Sequence, residues 1–378
     1  MKNTLYMAWQ HLRFFKARST ILVLGLTLTI ALPIASHLII SKYGAALRSR
    51  ADSTPYVLGA RGNRFDLVLK SLYFGDADLD AISLEDVNQV VRSKWATAMA
   101  LHLGHTAKRV PIVGAPSDYF AFRELSAMQG TAELDLGDVV AGSAAAEELN
   151  LSVGDRILSD RKKLYDLAGT NPVNLIVVGI LKPSGSADDR VLFSNLDTTW
   201  LLDGLMHGHP NSEHAGDEDP HRQGVAYHEV TAENRSSFHL HAFPAETPIS
   251  AAIVLPKDQK GATILEARYE NSETLQLQNC SLVIEEILAM VVQVQTFFDT
   301  YYVFVLVATL LFVGLIVALS TQLRRAELNT MRQIGASRWY TIRLQTTELM
   351  IIVAMAGMLS MAVTWVGLKV AGQYFAMG

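Results

Sequence analysis

The sequence predicts an α-helical membrane protein with three spans and a large mixed α/β domain between the first two. Three observations carry this. Charge-free runs occupy 19–41, 300–323 and 349–368, each close to the roughly 20 residues that a helix needs to cross the hydrocarbon core. Half of the 378 residues are hydrophobic and only 18% are charged, against about 25% charged in an ordinary soluble chain. The 258 residues of 42–299 alternate helical and strand signals, and a stretch of that length supports its own core.

Charge sets the orientation. The first nineteen residues carry Lys2, Arg13, Lys16 and Arg18 and no acid, and the segment after the second run carries Arg324, Arg325, Arg332, Arg338 and Arg343. Short basic segments flanking spans stay on the cytoplasmic side. The stretch 42–299 holds 22 Lys+Arg against 35 Asp+Glu, a balance of 22 − 35 = −13, and is placed outside. Three spans then leave the C-terminal residues outside as well. A cleaved signal sequence is the alternative for the first run, but the run is longer than a usual signal core and no small-x-small site precedes Lys42. Pro33 and His37 interrupt this span. A proline is tolerated there when neighbouring helices satisfy the freed carbonyl, and His37 is read as lying near the outer headgroups.

Within the outer domain, Leu84, Val87, Val90 and Val91 at helical spacing after Ser83 predict a helix over 83–91. A second is predicted over 141–149, after Asp138-Val139-Val140. The β-branched run Leu175-Ile176-Val177-Val178-Gly179-Ile180-Leu181, stopped by Pro183 and a Ser-Gly-Ser turn, predicts a strand over 174–181. Val191-Leu192-Phe193 and Ala251-Ala252-Ile253-Val254-Leu255 are further strands. From 282 to 300, Ile284, Ile287, Leu288, Val291 and Val294 share one helical face and run without proline or glycine into the second span. Residues 43–53 are expected to extend the first span in the same way.

Much chemistry is excluded. The single cysteine, Cys280, rules out an intrachain disulfide and any multi-cysteine metal cluster. A net charge of −5 argues against a nucleic-acid partner. There is no Gly-x-x-x-x-Gly-Lys-Ser/Thr loop to cradle nucleotide phosphates, and no Gly-x-Ser-x-Gly elbow. The paired acids Glu147-Glu148, Asp188-Asp189 and Glu285-Glu286 are read as solvated surface.

Seven of the eleven histidines fall in one Gly- and Pro-containing stretch: His207, His209, His214, His221, His228, His239 and His241. Imidazoles on a mobile insertion are candidate ligands for zinc or another transition metal. His239-Leu240-His241 is the sharper pair, because strand residues two apart share a face. Solvated histidines on a polar loop are the competing reading. The helical His-Glu-x-x-His ligand pair of a zinc protease is absent, since His228-Glu229 meets Ala232 where the second histidine is required.

Between the second and third runs, Leu328, Met331 and Ile334 share one face of a short helix flanked by arginines and closed by Gly335. Alone, it is equally a surface connector or a docking element.

The residues resemble a known family. Ala8-Trp9-Gln10-His11-Leu12 followed by Leu22-Val23-Leu24-Gly25-Leu26 looks like the start of type VII ABC-transporter permeases, the macrolide-exporter (MacB), lipoprotein-release and FtsX-like superfamily. Val139-Val140-Ala141-Gly142-Ser143-Ala144-Ala145-Ala146, Leu149-Asn150-Leu151-Ser152-Val153-Gly154-Asp155 and Val177-Val178-Gly179-Ile180-Leu181 are similar to the family's outer domain in their order. Arg324-Arg325-Ala326-Glu327-Leu328-Asn329-Thr330-Met331-Arg332-Gln333-Ile334-Gly335-Ala336-Ser337 resembles its coupling segment. The family usually has four spans, so either a fourth lies beyond Gly378 or this is a three-span variant.

The resemblance implies a cytoplasmic amphipathic segment at 1–19, spans at 20–41, 300–323 and 346–368, and a MacB-like periplasmic domain at 42–299 with a His-rich insertion at 205–242. It also implies a coupling helix at 324–345 and an outer tail at 369–378. Arg324, Arg325, Glu327, Leu328, Met331, Arg332, Ile334 and Gly335 would engage a separate ABC ATPase, present in two copies and holding ATP and Mg. The chain itself is then a non-catalytic permease subunit of the bacterial inner membrane, paired with a second permease copy. A periplasmic adaptor, a lipoprotein or a substrate-binding protein is a further expected partner. Mechanotransmission, moving the periplasmic domain to export or extract a substrate, is the implied function. A membrane-anchored metal receptor and an FtsX-like regulator of a cell-wall hydrolase are the alternatives.

Overall fold

The computed structural model describes residues 2–161, 172–208, 228–231, 234–240, 243, 245–323, 330, 333 and 338–377. Helices α1 (Lys2–Phe14) and α2 (Lys16–Asp52) are followed by β1 (Tyr56–Ala60), α3 (Arg64–Tyr73), β2 (Ile82–Ser83), α4 (Leu84–Arg92), β3 (Ala96–Ala107) and β4 (Val110–Gly114). Then come α5 (Ser117–Phe122), β5 (Ala127–Gly130), β6 (Asp138–Ala141), α6 (Ser143–Leu149), β7 (Arg156–Leu158), β8 (Val173–Leu181), β9 (Leu192–Ser194) and α7 (Leu196–Leu202). Strands β10 (Met206–Gly208), β11 (His228–Glu229), β12 (Phe238–Leu240), β13 (Pro248–Ile249) and β14 (Ala251–Pro256) precede α8 (Gln259–Glu270) and β15 (Leu275–Asn279). Helices α9 (Cys280–Leu323) and α10 (Arg338–Met377) follow. The chain divides into two units, Met1–Ala45 with Leu288–Gly378, and Ala46–Ile287.

In the first unit, three helices are long and apolar enough to cross a membrane, within Lys16–Asp52, Cys280–Leu323 and Ile342–Val370. Pro33 lies inside α2 without ending it. Leu12, Leu22, Val23 and Leu26 pack with Val313, Ile352 and Ala356. Side chains such as Phe304 and Leu311, each 70% exposed, face outward, as they must where the solvent is lipid. The buried Glu348 stands 2.9 Å from His11 and 3.9 Å from Arg18. His37 lies 3.1 Å from Asp299 and also contacts Gln295. Residues 338–345, expected in the cytoplasmic connector, are the first turns of α10, and that helix runs through Met377 over most of the stretch read as a tail. No glycine or proline interrupts 338–356.

The second unit is built on a mixed sheet of order β11-β8-β6-β9-β4-β3-β14-β1-β15, with β5 and β7 also on β8. Both faces are covered, and successive residues of a strand go to opposite sides. Ile112, Val139, Leu192 and Ala252 belong to one core cluster, while Val113, Val140, Phe193 and Ile253 belong to the other. Burial on both faces explains the near-continuous apolar runs in these strands. The predicted helix at 83–91 is α4, and its start is a capping box in which Ser83 and Asp86 each accept from the other's backbone N–H. The helix expected over 141–149 begins at Ser143, because Ala141 ends β6 in register with Ile180 and Leu192, and Gly142 is the cap.

Candidate functional site

The expected coupling residues Arg324, Arg325, Glu327, Leu328, Met331, Arg332, Ile334 and Gly335 lie outside the described residues, as do His209, His214, His221 and His241. Backbone pairing of β10 with β12 sets His207 opposite His239. His228 sits apart from them, in β11 and in register with Val173. His239 is exposed, and its Nδ1 is 3.2 Å from the Ser237 carbonyl.

A different group of potential ligands is assembled among the described residues: His102, His105 and Asp203. Positions three apart on a regular strand face opposite sides. Here Gly104, at φ 138°, is an extra residue in β3, and the register to β4 shifts between Leu103 and His105. The bulge brings both imidazoles to one side. They are 5% and 6% exposed, with ring centroids 5.7 Å apart.

Asp203 comes from another element. Asn195 caps α7 by accepting from the Thr198 N–H, and Asp203 forms the C-cap, its own N–H donating to the Thr199 carbonyl. The carboxylate meets His102 Nε2 at 2.7 Å and His105 Nε2 at 3.0 Å. Burial would raise the Asp203 carboxyl, but the two imidazoles outweigh it and hold the group well below the usual carboxylate range. Both ring nitrogens of His102 are buried, and neither has a well-aligned hydrogen bond among the described residues. The sequence signal was His102-Leu103-Gly104-His105, a histidine pair around a glycine, which has meaning only once the bulge is known.

A second assembly anchors the end of α2. Arg50, in its last turn, is 8% exposed and makes a two-pronged contact with Asp188, at 2.6 and 2.9 Å. It also donates to the Leu72 carbonyl and, at 3.2 Å, to Tyr119 Oη. The Tyr119 hydroxyl in turn donates to Asp188 at 2.7 Å. Burial opposes the charge on Asp188, but the Arg50 guanidinium outweighs it and depresses the carboxyl's pKa. Asp188 and Asp189 are therefore buried, not the solvated surface the sequence suggested; a turn at 187–190 folds them inward. Glu285 and Glu286 pair with Arg48 and Arg64 at the surface. The start of α9 is held as well, since the Cys280 N–H donates to the Pro55 carbonyl and the Ser281 hydroxyl to Asp52.

The described residues thus comprise three apolar helices and a mixed α/β domain that includes 46–52 of α2 and 280–287 of α9. The MacB-like periplasmic core domain family matches residues 19–221. The periplasmic region of MacB from Actinobacillus actinomycetemcomitans is similar at 11% identity and a TM-score of 0.36, over 62% of this chain and 92% of that one. The extracellular domain of the noncanonic ABC-type transporter YknZ from Gram-positive bacteria is similar at 13% identity and a TM-score of 0.34, over 60% and 100%. No curated protein matches. Because the family match spans more than half of its length, the chain belongs to the MacB-like periplasmic core domain family and is a MacB/FtsX-like type VII ABC permease, a membrane protein with a periplasmic domain.

Proposed function

We propose that this permease transmits ATP-driven movement of a separate ATPase to its periplasmic domain, exporting or extracting a periplasmic or membrane-associated substrate. The observation that supports this best is the anchoring of α2. A single helix, Lys16–Asp52, contains the first span and ends on the buried Arg50–Asp188 pair. Displacing such a helix along its axis pulls on a charge pair that water cannot replace, so the domain follows the helix instead of fraying from it. α9 begins on the same sheet at β15 and contains the second span.

In this reading the chain lies in the inner membrane with its N-terminus in the cytoplasm. Two permease copies pair with two ATPase copies, and ATP and Mg are held by the ATPase. The sequence intersperses Arg324, Arg325 and Arg332 with Leu328, Met331 and Ile334, a mixture of cationic and apolar residues suited to a groove on the ATPase. The permease itself performs no covalent chemistry. Changing Glu327 and Met331 together to alanine is expected to abolish copurification of the ATPase in detergent while leaving membrane insertion intact. Retained association would show that docking lies elsewhere.

A further inference from the structure

We propose that His102, His105 and Asp203 form a binding site for a divalent transition metal ion, zinc being the ion that the donor set fits best. The inference stands apart from the permease reading and from the His207–His241 stretch, since all three residues precede that stretch in sequence and lie on β3 and at the end of α7.

The donor set is two imidazoles and one carboxylate, each offering one ligand atom, with these atoms within 4.8 Å of one another. Two imidazoles select zinc, copper, nickel or cobalt over magnesium or calcium, which prefer oxygen. In a tetrahedral zinc site with bonds of about 2.0–2.1 Å, ligand atoms lie roughly 3.3 Å apart. His102 Nε2 stands 2.7 Å from one carboxylate oxygen and His105 Nε2 3.0 Å from the other, so a turn of the Asp203 carboxylate and a small outward shift of the rings would set three donors around one ion. Three protein ligands leave a fourth position for water or another ligand. Asp203, whose side chain is 15% exposed, connects the otherwise buried group to solvent.

Two backbone devices place the donors. The bulge at Gly104 turns His105 to the side of His102. On the facing strand, Gly114 leaves room for α7: a Cβ there would stand 2.6 Å from Thr199 Cγ2 and 3.2 Å from His102 Cβ. A closed ion cluster without metal is the competing arrangement, and it accounts poorly for His102. Its Nε2 touches the carboxylate without hydrogen-bond alignment, and its Nδ1 has no hydrogen-bond partner among the described residues. Unsatisfied buried polar groups cost about 1–3 kcal/mol each. A metal ion at Nε2 replaces the misaligned contact with a directed bond.

The test uses the full chain in detergent, with the seven histidines of the insertion changed to glutamine so that the insertion offers no imidazole. Titration with zinc is expected to show one ion bound per chain, and X-ray absorption of that zinc two imidazole ligands. Adding Asp203→Asn or His105→Gln should weaken binding at least about tenfold, since loss of even an outer-shell partner costs 10–100-fold. Absence of bound zinc in the insertion variant, a ligand set without two imidazoles, or unchanged affinity in both site variants would overturn the proposal. The zinc count and spectrum are read with the site intact, so they decide the question even where a site substitution impairs folding.

Discussion

Arg50 and Asp188 show how far one buried charge pair governs the periplasmic domain. Both side chains are more than nine-tenths buried, so removing either leaves an uncompensated charge out of water. Arg50→Ala is expected to destabilise the domain by about 3–5 kcal/mol, whereas Arg50→Met with Asp188→Leu removes both charges and should recover most of that. Hydrogen exchange of peptides from α3 and α5, read by mass spectrometry in the intact chain, measures both. Acid gives an independent check. The Asp188 pKa is depressed in the folded state, so its contribution is complete above the unfolded value of about 3.9 and is lost as pH falls through the folded value. Exchange protection should therefore drop on acidification below about pH 4, and Asp188→Asn, already weakened at neutral pH, should show a shallower acid limb. An unchanged limb in that variant would assign the acid sensitivity to other carboxylates.

At the scale of elements, α7 lies against the sheet because β4 offers it a glycine. Gly114→Ala would drive a Cβ into Thr199, with Cγ2 at 2.6 Å and Oγ1 at 2.8 Å, and overpacking of this kind costs about 1–3 kcal/mol. Thr199→Ala in the same chain clears both contacts. Thermal unfolding of the two single variants and the double should be strongly non-additive, with the double more stable than Gly114→Ala alone; simple additivity would mean that α7 does not press on β4 here. Such contacts are invisible in a sequence. What was legible came from local pattern: the β-branched run of β8, the apolar face and serine cap of α4, and the charge-free runs of α2 and α9. Each of these is dictated by its own residues. The assemblies at His102 and Asp188 were not legible, because they depend on where distant elements meet. A bulge reverses the facing of His105, and a short turn folds Asp188 inward although Asp-Asp alone suggests surface. The boundary between β6 and α6 was missed for a related reason, since Ala141 favours a helix by itself and is claimed by its strand neighbours.

For the whole molecule, the charge bias predicts an orientation, and that orientation decides whether force from the cytoplasm can reach the periplasmic domain. Four basic residues and no acid precede the first span, while 42–299 carries a balance of −13. Translocating the basic flank instead would reverse the bias that sets the topology of short loops. The chain is well suited to a direct measurement, because its single cysteine, Cys280, is fully buried and should react little with maleimides. Asp76 and Gln10 are both exposed, one in the loop after α3 and the other on α1. In spheroplasts, Asp76→Cys is expected to be labelled by a membrane-impermeant maleimide at once, and Gln10→Cys only after the membrane is permeabilised. The reverse pattern would put the mixed sheet in the cytoplasm and the arginines of 324–338 outside. An ATPase could then no longer meet the coupling segment, and the proposed transmission would lose its source of force.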